Sequence, residues 1–354
     1  MKRKTIKAFA IVLTLVMALS LFGCSKEEPK AEETTTTETT TKYIPPTNLL
    51  TGEEIDKDEK GKRPIAIVVE NHPDARPQWG IGSADMVCEG EVEGGISRML
   101  WIYTDQSKIP SQVGPLRSAR PSYVEFSQFF DAVFIHWGGS HSKGNYVGGY
   151  ETIKKNKVDD LDGMSGGSLF GRDKSRAVSS EHTGIMKVSE LTNTLKKKKI
   201  RNTAKEDKIL KLNFNESITP AGQTGAKTVA VKFSNRTHTR DFTFNSEDKL
   251  YHTSDWKTDV AFRNLILLKA NSTYITTPYK GSSTTYLNYS WTSGTGTYVS
   301  NGTATEIIWS VDNGVLSIKD ASGKTLTVNK GQSYIGFVSE NHEGKITCVG
   351  EKTE

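Results

Sequence analysis

The sequence predicts an α+β protein in which an N-terminal mixed α/β domain, residues 61–205, precedes a smaller, mostly-β domain, residues 206–354. Three observations carry this. Short runs rich in β-branched and aromatic residues, broken by Gly and Pro, begin after Gly61, and runs of that length and content signal strands. Two stretches in the same half space their apolar residues for a helix. Beyond about Asn213 apolar and polar residues alternate with a period of two, the pattern of half-buried strands.

The chain ahead of these domains reads as a targeting segment and a tether. Lys2, Arg3 and Lys4 precede an uncharged stretch from Ala8 to Gly23, short for a permanent span of ~20 apolar residues. That arrangement is expected of a signal peptide, residues 1–23. Leu21-Phe22-Gly23-Cys24 resembles the bacterial lipobox, although Phe22 is bulkier than the motif usually carries. The resemblance implies a diacylglycerol on the Cys24 thiol and an anchor in the outer face of the cell membrane. Two acyl chains hold where one gives only marginal binding. Residues 24–60 are expected to form a disordered tether, since up to residue 47 they contain almost no large apolar side chain and include Thr34–Thr37 and Thr39–Thr41.

Composition narrows the function. The formal charge is +5, and the signal segment holds Lys2, Arg3, Lys4 and Lys7, so the remainder is close to neutral. A nucleic-acid partner is not expected, because there is no basic surface or basic-aromatic stripe. Cys88 and Cys348 both sit in strand-like contexts and read as small buried hydrophobes, with a disulfide left open. Neither zinc spacing nor the Lys-Ser/Thr ending of a phosphate loop after Gly138–Gly149 is present. No metal and no cofactor are therefore expected. His72, His136, His141 and His182 match no metallohydrolase spacing.

In chain order, strands are expected at Ile65–Val69, Asp85–Cys88 and Met99–Tyr103. A helix should follow Pro121, grouping Val124, Phe126, Phe129 and Phe130, and Ala132–Trp137 should return as a strand. A second helix is expected through Ile185, Val188, Leu191 and Leu195, ending in Lys196–Lys199, where cations suit the macrodipole. The later strands fall at Val229–Phe233, Phe242–Phe244, Leu265–Leu268 and Ile307–Trp309, with turns at Asp312-Asn313-Gly314, Ser322-Gly323-Lys324 and Asn329-Lys330-Gly331.

The loops of the first half carry the unusual chemistry: Asn71-His72-Pro73, Ala75-Arg76-Pro77-Gln78, Glu93-Gly94-Gly95-Ile96-Ser97-Arg98, Gly114–Arg120 and Asp159-Asp160-Leu161-Asp162. These motifs, with Arg63-Pro64-Ile65-Ala66 and Gly331-Gln332-Ser333-Tyr334-Ile335, resemble the YerB-like bacterial lipoproteins, whose halves are domains of unknown function of the DUF3048 type. The resemblance spans about Arg63 to Ser339. It implies a membrane-anchored envelope protein of Gram-positive-type bacteria and brings no activity with it.

Among the residues themselves the arginines are the informative part. Arg76, Arg98, Arg117, Arg120, Arg172 and Arg176 offer planar, permanently charged forks suited to carboxylate or phosphate. If they converge, they bind an anion. The alternative is that they pair with Glu70, Glu89, Glu93, Asp131 and Asp173 and fix loop geometry. The expected function is a non-catalytic binding or scaffolding role toward an anionic envelope ligand or a partner protein near peptidoglycan. The competing expectation is an envelope hydrolase or transferase using His72, Glu93 and His136 as acid/base groups.

Overall fold

The computed structural model describes residues 44–279 and 281–350. Cys24, the expected signal peptide and the Thr-rich run lie outside them. Within the described residues the fold is sheet-rich with few helices, so the mixed α/β expectation for the first half holds only in part.

The strands β1 (Ile65–Glu70), β2 (Met86–Glu91) and β3 (Ser97–Tyr103) lie at the centre of an eleven-stranded sheet. β3 sits antiparallel between β1 and β2. On the far side of β1, Val133–His136 and then Asp160–Asp162 add in parallel. On the far side of β2 comes Ser333–Ser339, parallel, then Asn264–Ala270, also parallel, followed by Ser293–Ser300 and Thr303–Asp312. The expected boundary at 205/206 therefore does not separate two sheets, and the described residues from Ile44 to Gly350 lie in one compact unit.

This sheet is covered on both faces. Ile65, Ile67 and Val69 face one core with Trp101, Tyr334 and Val338, while Ala66 and Val68 face another with Leu100, Phe126 and Phe337. Two-sided burial is why β1 reads as an unbroken apolar run instead of an alternating one. A five-stranded sheet covers the first face, bringing Val231, Phe242, Tyr251 and Phe262. The second face takes helix α1 (Pro121–Gln128) and, through Leu287 and Tyr289, a hairpin of Ser272–Tyr279 with Ser282–Tyr289. Pro121 opens α1 as expected, where its missing N–H costs nothing.

Three expectations change. Packed chain begins well before residue 60: the Asn48 amide donates to Asp85 Oδ2 at 2.9 Å, and Leu50 is buried in the core. Helix α2 (Gly149–Asn156), whose start lies in the Gly-rich stretch, has no counterpart among the sequence expectations. The expected helix through Ile185 is a strand at Gly184–Lys187, paired with Phe170–Arg172. Of that stretch only α3 (Leu191–Lys197) is α-helical, burying Leu191 and Leu195. The β-branched Ile185 suits the strand, and Gly184 answers to a close approach, since a Cβ there would lie 2.9 Å from the Trp137 ring. Cys88 and Cys348 are both free, Cys88 buried and Cys348 partly so.

Candidate functional site

The central strands end in charge. Glu70 closes β1, Glu89 and Glu91 lie in β2, and Arg98 lies in β3; all four are buried. A buried charge is tolerated only when paired and hydrogen-bonded, and the partners of these four organise the site.

Glu89 is the hub. Its carboxylate accepts from the Asn71 amide and Ser97 Oγ, each at 2.6 Å, from Tyr334 Oη at 2.9 Å, and from Arg240 Nε and Nη2 at 3.1 and 2.8 Å. Arg240 reaches in from the five-stranded sheet, also donates to Asp255 Oδ2 at 2.7 Å, and stacks over Trp256. Above this hub opens a cleft of about 410 Å³ lined by Asn71, His72, Arg76, Ile96, Thr239 and Arg240, among others. Arg76 donates to Asn71 Oδ1, Asn71 O and Asp255 O at 3.2, 2.8 and 2.9 Å. All three acceptors are neutral. Burial, and then the neighbouring charge of Arg240, lower the pKa of its guanidinium against the opposing pull of the nearby Glu89 and Asp255 carboxylates.

The other five arginines have different partners. Arg117 Nε lies 2.8 Å from Glu70 Oε1 and its Nη2 2.9 Å from Glu181 Oε2. Arg98 and Arg120 share Glu93: Arg98 Nη2 donates to Oε1 at 3.1 Å, Arg120 Nε to Oε2 at 2.8 Å, and Arg120 Nη2 also to Oε1. Burial alone would raise the Glu93 carboxyl, but the two guanidinium groups overcome it and hold it at about 2. The turn carrying Glu93 needs glycine after it: Gly95 has φ +75°, and a Cβ there would lie 2.7 Å from Arg236 O. Arg172 donates to Ser180 O and stacks over Trp137, its Cζ 4.5 Å from the ring centroid. Arg176 donates to Ala75 O at 3.3 Å and stacks over Trp79 at 3.9 Å. Of the six arginines, Arg76 alone lines the cleft.

His72, Glu93 and His136 are not brought together. His72 lines the cleft, Glu93 is occupied by its two arginines, and His136 is fully buried with its ring nitrogens 2.7 Å from Gly138 O and 3.0 Å from Asp160 Oδ2. A poised acid/base trio is absent from this set. His72 instead stacks on His182, ring centroids 5.0 Å apart.

Sequence reasoning passed over Arg240. A signal was present, since Arg240 and Phe242 occupy the inward positions of their strand while Asp241 and Thr243 face out. An arginine on the inward face of an alternating strand must find a buried carboxylate.

Two family models, described as "Protein of unknown function (DUF3048) N-terminal domain" and its C-terminal counterpart, match residues 50–201 and 229–335. The chain belongs to the DUF3048 family of YerB-like proteins. YerB of Bacillus subtilis (strain 168), a protein whose name carries the word lipoprotein, is 29% identical over 306 residues, covering 84% of this chain and 88% of YerB. The crystal structure of YerB from Bacillus subtilis superposes with a TM-score of 0.70 at 24% identity, covering 85% of this chain and 99% of that one. At that identity the likeness is one of fold. The two DUF3048 segments leave residues 202–228 between them, the interval in which the periodicity changes, although the strands they contain share one sheet.

Proposed function

We propose that this DUF3048 protein is a non-catalytic binding lipoprotein, anchored through Cys24 to the outer face of the cell membrane, whose Arg76 cleft holds an anionic envelope ligand. The observation that carries the reading is Arg76 itself: a half-buried guanidinium on a cleft wall whose hydrogen bonds all go to neutral acceptors, with the Glu89 and Asp255 carboxylates near it and bonded instead to Arg240. A permanently charged fork in that position gains most from an incoming carboxylate or phosphate. Arg98, Arg117 and Arg120 already have carboxylates and serve to hold the loops that shape the cleft. The lipobox-like run Leu21–Cys24 and the word lipoprotein in the name of YerB support the envelope setting. No helix of the described residues is long and apolar enough to cross a membrane.

The reading is tested by calorimetric titration of the purified chain with inorganic phosphate and with a soluble muropeptide bearing free carboxylates. Arg76→Gln is expected to weaken binding at least ~10-fold, the scale of one charge-assisted hydrogen bond. Arg172→Gln, whose side chain stacks on Trp137, is expected to leave it unchanged. Equal affinity in wild type and Arg76→Gln rejects the site.

A further inference from the structure

Beside the Arg76 cleft, three side chains stand where sequence spacing gave no hint of a metal. His72, Asp74 and His182 each present a ligand atom, and these atoms all lie within 4.8 Å of one another. His72 Nδ1 and Asp74 Oδ2 are 3.6 Å apart. Two ligands about 2.1 Å from a tetrahedral zinc are separated by ~3.4 Å, so this pair already has nearly the spacing a coordination sphere requires.

We propose that His72, Asp74 and His182 form a binding site for a divalent transition metal of the zinc class. Support comes from behind the cluster. His182 is almost fully buried, and its Nδ1–H donates to Glu70 Oε2 at 2.9 Å. Glu70, itself buried, is held on its other oxygen by Arg117 Nε at 2.8 Å. A carboxylate on the remote nitrogen of an imidazole fixes ring and tautomer and leaves the other nitrogen as a basic ligand, the outer-shell arrangement that metal-binding histidines use. That other nitrogen, His182 Nε2, has Glu181 Oε1 3.8 Å away, beyond hydrogen-bond distance and near enough to become a fourth ligand.

Charge agrees with the assignment. Glu70, Asp74 and Glu181 bring three negative charges against one from Arg117, so a dication brings this group to neutrality. Two imidazoles and a carboxylate suit zinc, with neighbouring first-row ions as competitors. Loading requires one rearrangement. The His72 and His182 rings are stacked with only 13° between their planes, so the half-exposed His72 ring must turn to aim its lone pair at the same point. Its Nδ1 gives up the 3.3 Å hydrogen bond that it accepts from the Asp74 amide.

The site does not depend on the anion reading, and the test keeps them apart. The full-length chain, tag-free and in detergent, is stripped of metal, then titrated with Co²⁺ by absorption and with Zn²⁺ against a chromogenic chelator. One equivalent per chain is expected, with a Co²⁺ ligand-field band. His72→Gln and Asp74→Asn, at half-exposed and exposed positions that leave the fold intact, should each lower affinity at least ~10-fold. Glu70→Gln should lower it by ~10–100-fold, the usual cost of losing such an outer-shell partner. Arg76→Gln should bind metal as wild type does. Failure of the wild-type chain to bind Zn²⁺ or Co²⁺ saturably, or wild-type affinity in the His72→Gln, Asp74→Asn double variant, overturns the proposal.

Discussion

Glu93 shows how a single residue converts charge into stability. Its carboxyl is held at about 2 against the pull of burial by Arg98 and Arg120. A depressed folded pKa means the stabilisation is fully present above the unfolded carboxyl value of ~4.5 and is lost as pH falls toward 2. The shift is worth about 3 kcal/mol at neutral pH. Denaturant unfolding measured between pH 6 and pH 2 should therefore show stability falling through that window. Glu93→Gln should flatten this acid limb and lower stability at pH 7 by roughly 3 kcal/mol, because Arg98 and Arg120 are left facing each other in a buried setting. An unchanged acid limb in that variant would remove Glu93 from the account. The pairing was half legible: the sequence offered arginines and carboxylates in similar numbers, and both readings of them stood open. Only three-dimensional partners separate Arg76, which donates to neutral acceptors, from Arg98, Arg117 and Arg120, which have carboxylates.

At the scale of elements, β1, β3 and α1 were readable because each carries a local signature. β1 holds the apolar run Ile65–Val69 and β3 the run Met99–Tyr103, and α1 begins with proline and buries Val124 and Phe126. The stretch from Ile185 to Leu195 misled because its apolar spacing fits a helix throughout, while the pairing of Gly184–Lys187 with Phe170–Arg172 claims its first part. A hydrogen-bonding neighbour elsewhere in the chain leaves no local trace in periodicity. For α1 the decisive contact is Phe126, fully buried with ring centroids 4.5 Å from Phe337 and 4.9 Å from Trp291. Phe126→Ala deletes a ring that ties the helix to the sheet. It should cost about 3–5 kcal/mol, the range for emptying a packed aromatic site, measured as a shift in the urea midpoint at unchanged slope. A loss under ~1 kcal/mol would mean that α1 is not anchored through this ring.

The whole molecule departs most from what sequence could say, and the departure has a direct test. Periodicity changes near Asn213 and the family models break near the same place, so a two-domain chain was the natural expectation. Yet β2, from the first half, is paired residue for residue with Ser333–Ser339, from Met86 opposite Ser333 to Gly90 opposite Phe337. That strand in turn pairs with Asn264–Ala270. The pairing of β2 with Ser333–Ser339 joins residues more than two hundred apart in the chain, which no local pattern records. A fragment of residues 44–205 would thus expose the edge of β2, leaving unpaired backbone groups of the kind that recruit other chains. It would also uncover the apolar face that Phe337 fills against Phe126. Residues 44–205 made alone should aggregate or give the poorly dispersed amide spectrum of an unpacked chain. Residues 44–354 should unfold in one transition by both fluorescence and circular dichroism, as expected when one sheet carries both halves. A soluble 44–205 fragment with a dispersed spectrum and its own cooperative melt would show the first half to be an autonomous domain and would count against a sheet that is stable only as a whole.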